Sequence, residues 1–508
     1  MDAGDAGRYR VNWAHMRLAF PDRIPLGKTV ACAAGLAAIQ LFQHTAPSFI
    51  FLFFGFVVIT VMAFNYAGGF SRPSGVYIFW FALLAVIFGV VAKAFYGEPA
   101  NSNLRAPQTT MTAYIASMLM MWLAAAISRK LTWRSRGLAV ALGANHINLR
   151  YSAVGCVALG TIIILVNLFV TQGTGGVLSA LNQINYFLPL GIILGTVDAI
   201  QSSNGRRSTN YMVLLAITFA FLWGTVQFSK QGMFTPFIAW LLAAFHERLR
   251  LRPIHFVSMV AFAILSVTVL SPLSYGRDDV YPGMSMGAKL ELAENLVVNV
   301  KQVRQDVYDD QIKAEENGSQ SGYYNEPKGL IDRLSMVPND DELIAFTQQG
   351  HVLGYAPVEA SFENWIPHFL MPDKPNLYEL GGGNFYAHEL GGLPAADTST
   401  GISFSPTAEA FHLGGWPGIF LVMPLILTMF FIVYDLILGD MRRHAWGLLV
   451  ILLFGHLAPE LGILGPIHET VFGSIAVICS ILFCIYVAPI LGAAFSPPSQ
   501  PSSDAALV

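Results

Sequence analysis

Twelve apolar runs dominate this chain, and the charges between them fall in a fixed alternation. The runs lie near 27–43, 49–66, 74–96, 111–128, 151–172, 184–201, 211–227, 230–246, 254–272, 416–437, 445–464 and 470–492. A bilayer core of about 30 Å takes roughly 20 mainly apolar residues per helix, so each run is a candidate span. Only 12% of the residues are charged and 54% are hydrophobic, where soluble domains carry roughly 25% charge. The composition excludes an ordinary soluble domain. The seventh and eighth runs are separated only by FSKQG (228–232), which leaves a broken or re-entrant element open as well as two full spans.

The segments between alternate runs carry Arg8, Arg10, Arg17, Arg23 and Lys28, then Arg72, then Arg129, Lys130, Arg134, Arg136 and Arg150. The series continues with Arg206 and Arg207, then Arg248, Arg250 and Arg252, then Arg442 and Arg443. The opposite short segments offer Arg105 and Lys230, with Lys93 at a span end. Basic loops stay in the cytoplasm, which predicts cytoplasmic termini and supports an even number of spans. The first run has no small-residue cleavage site after it, so it reads as a retained span. Cys32, Cys156, Cys479 and Cys484 all lie inside apolar runs, which speaks against a disulfide framework and against zinc ligation.

These observations predict an all-α polytopic membrane protein. Residues 1–27 form a basic, partly amphipathic cytoplasmic start; 28–272 hold spans one to nine; 273–412 form one large extracytoplasmic loop; 413–493 hold spans ten to twelve; and the Pro/Ser-rich 494–508 form a disordered cytoplasmic tail. In the loop, Asp and Glu outnumber Lys and Arg by 21 to 8. Leu296, Val300, Val303 and Val307 recur at helical spacing, EENGSQSG (315–322) reads as a linker, and 329–348 read as helix again. From Trp365 onward, Pro367, Pro372, Pro375 and Gly381–Gly383 forbid a long helix. The many aromatics there, Tyr355, Trp365, Tyr378, Phe385, Tyr386 and Phe411 among them, suit either the bilayer interface or a groove for sugar rings.

The run GLIDRLSMV (329–337), then ELIAFTQQGHVLGY (342–355), then WIPHFLMPDKP (365–375) resembles the oligosaccharide repeat-unit polymerases of the Wzy type. SPTAEAFHLGGWPGIF (405–420) looks like that family's Glu-containing entry into the next span, and FSKQGMFTPFIAWLL (228–242) is similar to a helix shared by the polymerases and the O-antigen ligases. The likeness covers about the last 280 residues. His368 stands where the pattern has Arg, and Lys230 where it often has Arg; neither makes the planar two-pronged contact of a guanidinium.

The resemblance implies a GT-C-like architecture in a bacterial inner membrane and a metal-independent glycosyltransferase without cofactor. A glycan on undecaprenyl diphosphate would pass to the end of a new lipid-linked repeat, building O-antigen, capsule or exopolysaccharide. A chain-length regulator and a flippase are the expected partners. The chemistry needs cations around the leaving diphosphate, for which Arg333, Lys374, Lys230, Arg277 and Arg105 are the candidates, with Trp365, Tyr378 and Tyr386 as substrate-binding aromatics. It also needs a base within hydrogen-bond reach of the acceptor hydroxyl. Glu409 and His412, three residues apart and on one face if the helix starts early, are candidates, as are His368 and Asp373. Asp340, Asp341 and Glu342 open an apparent helix and read as its cap, so no metal site is expected. His456, Glu460, His468 and Glu469 form a further polar group near the membrane. An O-antigen ligase shares most of these needs. A lipid-linked oligosaccharide flippase fits less well, because the loop divides the spans nine and three and buried charge is limited to residues such as Asp198 and Lys93.

Overall fold

A computed structural model of the protein describes residues 21–143, 147–169, 185–250, 252–266, 284–316, 322–326, 328, 331–366, 370–371, 373–393, 397 and 401–495. Each of the twelve apolar runs carries a helix: α1 Leu26–Phe42, α2 Pro47–Ala67, α3 Pro73–Tyr96, α4 Pro107–Thr132, α5 Leu149–Phe169, α6 Phe187–Ser202, α7 Tyr211–Val226, α8 Lys230–His246 and α9 Pro253–Leu265. After the long loop come α16 Gly418–Arg443, α17 Ala445–Glu460 and α18 Leu464–Phe495. Among the described residues, six of these (α2 to α5, α16 and α18) are long and apolar enough to cross a membrane, and α1, α6, α7, α9 and α17 contain shorter apolar helices. The protein is helical and, by these helices, membrane-embedded.

Sequence punctuation sets the ends. Pro47, Pro73 and Pro107 open α2, α3 and α4, where a missing N–H costs nothing. Gly68 and Gly97 close α2 and α3 in the left-handed conformation, the usual glycine stop. FSKQG proves to be a tight turn between two separate helices: Ser229 Oγ accepts from Gly232 N at 3.1 Å and caps α8. α7 and α8 pack on each other as a hairpin, with Phe228 at its tip in a small core shared with Ala293 and Leu296 of the loop.

α2, α3 and α4 pack with α16 and α17. Tyr77 lies edge-on to Phe430, Phe431 and Phe454, and Trp80 Nε1 donates to Ile451 O at 2.9 Å. A second group, α5 to α8, joins through α17 and the far part of α18. At Gly155 an added Cβ would lie 2.1 Å from Ala488 O, and at Gly492 1.9 Å from Tyr151 O, so α5 and α18 touch backbone to backbone.

The helices have two distinct ends. At one, Arg72 faces Asp435 at 3.6 Å, Arg442 faces Asp22 at 2.7 Å, and His246 Nε2 meets Arg442 O at 2.9 Å. The basic segments therefore gather together, as their alternation along the chain requires. At the opposite end the loop builds a layer from α10 Met286–Val298, α11 Val300–Glu316, α12 Val337–Gln348, α13 Ala356–Glu363, α14 Gly383–Glu389 and α15 Pro406–Gly414. The helical pattern around Leu296 to Val307 is thus present, broken at Asn299. Residues 332–334 form only a single tight turn before α12.

Candidate functional site

The loop layer is fastened to the helices by buried carboxylates. Asp340, Asp341 and Glu342 are all buried, but they do not cap their own helix, which shows no side-chain cap. Asp341 accepts from the backbone N–H groups of Arg105 and Ala106 and from Thr110 Oγ1 at 2.7 Å, so it caps α4 instead. Asp340 accepts from Tyr114 Oη at 2.5 Å and from Ser405 N at 2.8 Å, tying α12 to α4 and to the segment that leads into α15. Glu342 pairs with Arg105 at 3.1 Å. Next to this, Lys93 is fully buried, 3.0 Å from Glu98, and its ammonium lies over the Tyr323 ring at 4.7 Å.

Burial pushes the Asp340 carboxyl up to about 7, against the hydrogen bonds from Ser405 and Tyr114. Burial also raises Asp341 and Glu342. An acid raised in the folded state binds more protons folded than unfolded, so its contribution to stability is full below about 4 and is lost as pH climbs. For Asp340 the loss runs to about pH 7. The melting temperature is therefore expected to fall as pH rises through this window. Asp340→Asn should flatten the slope, read by thermal unfolding in detergent at several pH values; an unchanged slope would remove Asp340 as its source.

The second cluster centres on α15. Ser405 Oγ accepts from Thr407 N at 3.2 Å and Pro406 starts the helix, so Glu409 and His412 both lie within it and both are buried, at 2% and 1% exposure. Glu409 Oε1 accepts from Tyr386 Oη at 2.8 Å. Its Oε2 accepts from the backbone N–H of Ile463 and, at 3.0 Å, of Leu464, the start of α18. These three donors come from α14 and the start of α18, so Glu409 holds α14, α15 and α18 together. Burial raises its carboxyl and these donors oppose the rise.

His412 is arranged differently. Its Nδ1 lies 2.9 Å from Thr347 Oγ1, whose hydroxyl also lies 2.7 Å from Leu343 O. Nε2 lies 3.1 Å from Glu389 Oε2. A carboxylate only accepts, so the neutral ring carries its proton on Nε2 and donates it to Glu389, and Nδ1 accepts from Thr347. Glu389 reaches the surface, its side chain 31% exposed, while burial holds His412 below the ordinary histidine range and Glu389 opposes that shift. The Tyr386 ring meets His412 edge-on at 5.3 Å. His351, stacked on Phe346 at 4.1 Å, is the second histidine of this face.

The cations expected from the sequence are not drawn to one point. Arg105 is engaged by Glu342 and Arg333 is exposed in the turn before α12. Lys374 Nζ points to Ile366 O at 3.2 Å and Asn364 O at 3.5 Å, fastening its own loop, and Asp373 is exposed. Trp365 Nε1 donates to Ile467 O at 3.0 Å, so it anchors the loop to α18. His368, Arg277 and the side chains of Lys230 and Tyr378 lie outside the described residues. His456 pairs with Glu460 at 2.8 Å and His468 with Glu469 at 3.3 Å. Among the described residues, no group of three or more His, Cys, Asp or Glu is placed to hold a metal ion.

No protein-family model, curated protein or solved structure matches this chain. The site residues that sequence reasoning missed are Glu389 and Thr347, which meet His412 only through folding, 23 and 65 residues away in the chain. A His flanked three residues away by a buried carboxylate was the available signal for His412 alone.

Proposed function

We propose that this protein is a repeat-unit polymerase acting at the outer face of the bacterial inner membrane, with twelve spans, cytoplasmic termini and a GT-C-like architecture. The observation that carries the reading is the 3.1 Å contact between buried His412 and surface-reaching Glu389 at the loop-bearing end of the helices. Transfer of a glycan from a lipid diphosphate to a sugar hydroxyl needs a group that takes a proton at that place. Glu389, whose carboxylate reaches the surface and is held by His412, removes the hydrogen of the acceptor hydroxyl as its oxygen attacks the anomeric carbon. The bond to the diphosphate breaks, and undecaprenyl diphosphate leaves with the electron pair. Arg333, exposed before α12, supplies positive charge to the leaving group. The substrate and the expected partners rest on this reading and on the motifs from 329 to 420. A ligase is the second reading, because the stretch at 228–242 resembles a helix that ligases share with the polymerases.

The test is a gel ladder of surface and lipid-linked glycan from a deletion strain carrying the wild-type gene or Arg333→Ala. Collapse to single capped repeats in the deletion identifies a polymerase. Finished polymer left on the lipid carrier identifies a ligase, and repeats trapped on the cytoplasmic face identify a flippase. Arg333→Ala is expected to shorten the ladder; a wild-type ladder would take Arg333 out of the site.

A further inference from the structure

α5 and α18 meet so closely that two cysteines are set against each other. Cys156 Sγ lies 3.1 Å from Cys484 Sγ, the two being 328 residues apart in the chain. Both side chains are fully buried. The contact does not depend on long flexible side chains. Ser152, one turn before Cys156, donates Oγ to Cys484 O at 3.0 Å, and Gly155 and Gly492 bring the two backbones together on the same seam. α18 widens into a π turn over Phe483–Val487, which carries Cys484 into this contact. About 1 Å of approach separates the sulfurs from bonding distance.

We propose that Cys156 and Cys484 form a redox pair, oxidised within the bilayer to a cystine that staples α5 to α18. Each thiol gives up one hydrogen, the two sulfurs bond, and two protons and two electrons pass to a lipid-soluble acceptor of the quinone class, which becomes the quinol. Both sulfurs are enclosed between α5 and α18, so water-soluble disulfides do not reach this pair. The same burial keeps cytoplasmic reductants from the bond once it has formed. Cys32 is exposed and Cys479 half-buried, and both serve as internal controls.

The experiment uses the full chain in native membranes, with a protease site placed in the exposed turn at 203–206. Membranes are treated with a short-chain quinone, denatured in N-ethylmaleimide and cleaved. On a non-reducing gel the two fragments are expected to stay joined and to part with dithiothreitol. The intact protein should lose 2 Da, in wild type and in a Cys32→Ala/Cys479→Ala variant alike. Cys156→Ser should release the fragments. The mass loss in the double variant gives the answer even if Cys156→Ser fails to fold. Fragments that part without reductant, or a pair fully labelled by maleimide after quinone treatment, would overturn the proposal.

Discussion

Replacing Glu389 with Gln is expected to stop chain growth, with a loss of about 10²–10⁴-fold in polymer formed per hour, the usual worth of a positioned proton acceptor. The protein should still reach the membrane in normal amount with its melting temperature unchanged, as for most surface substitutions, which separates lost chemistry from lost folding. His412→Ala is the companion. It removes the ring whose Nε2 meets the Glu389 carboxylate at 3.1 Å, so chain growth should slow, and His412→Gln, which keeps an N–H donor there, should restore part of it. A full ladder from well-expressed Glu389→Gln would end the proposed role of this carboxylate.

Gly462→Ala is expected to lower stability strongly. Gly462 has φ +58°, and a Cβ there would lie 2.0 Å from Glu409 Oε2. The left-handed conformation costs an alanine about 1–2 kcal/mol. Displacing the carboxylate also leaves the N–H groups of Ile463 and Leu464 unpaired, at roughly 1–3 kcal/mol each. The sum is a large part of a typical total stability of about 5–15 kcal/mol. The clash should depend on the carboxylate, so Gly462→Ala in a Glu409→Ala background should cost only the backbone term. Thermal unfolding of the four proteins measures that coupling; strict additivity would mean that the glycine serves some other neighbour.

Helix positions were legible because apolar length and Pro or Gly punctuation act locally. Pro73 and Gly97 mark α3 in the sequence as they do in space. The site was legible only in part. Glu409 and His412 were visible from their spacing, but their partners, Ile463 and Leu464 for one and Thr347 and Glu389 for the other, lie far away in the chain. Asp341 looked like a cap because acids favour helix starts. It caps a helix 235 residues earlier, which no local rule could assign. Lys374 stood out as a scarce cation, yet scarcity says nothing of direction, and its ammonium turns to carbonyls of its own loop.

The pairing of α2–α4 with α16 and α17 also fixes an order of events at the ribosome. Arg72 and Ser128 find their carboxylate, Asp435, 363 and 307 residues later in the chain. At roughly 5–20 residues per second, Arg72 waits roughly 20–70 s for it. During that time Arg72 has the Thr132 hydroxyl of α4, at 3.1 Å, as its partner, and the contact lacks only its carboxylate. A nascent chain arrested before α16 therefore keeps its first four helices without the group that ties them to α16.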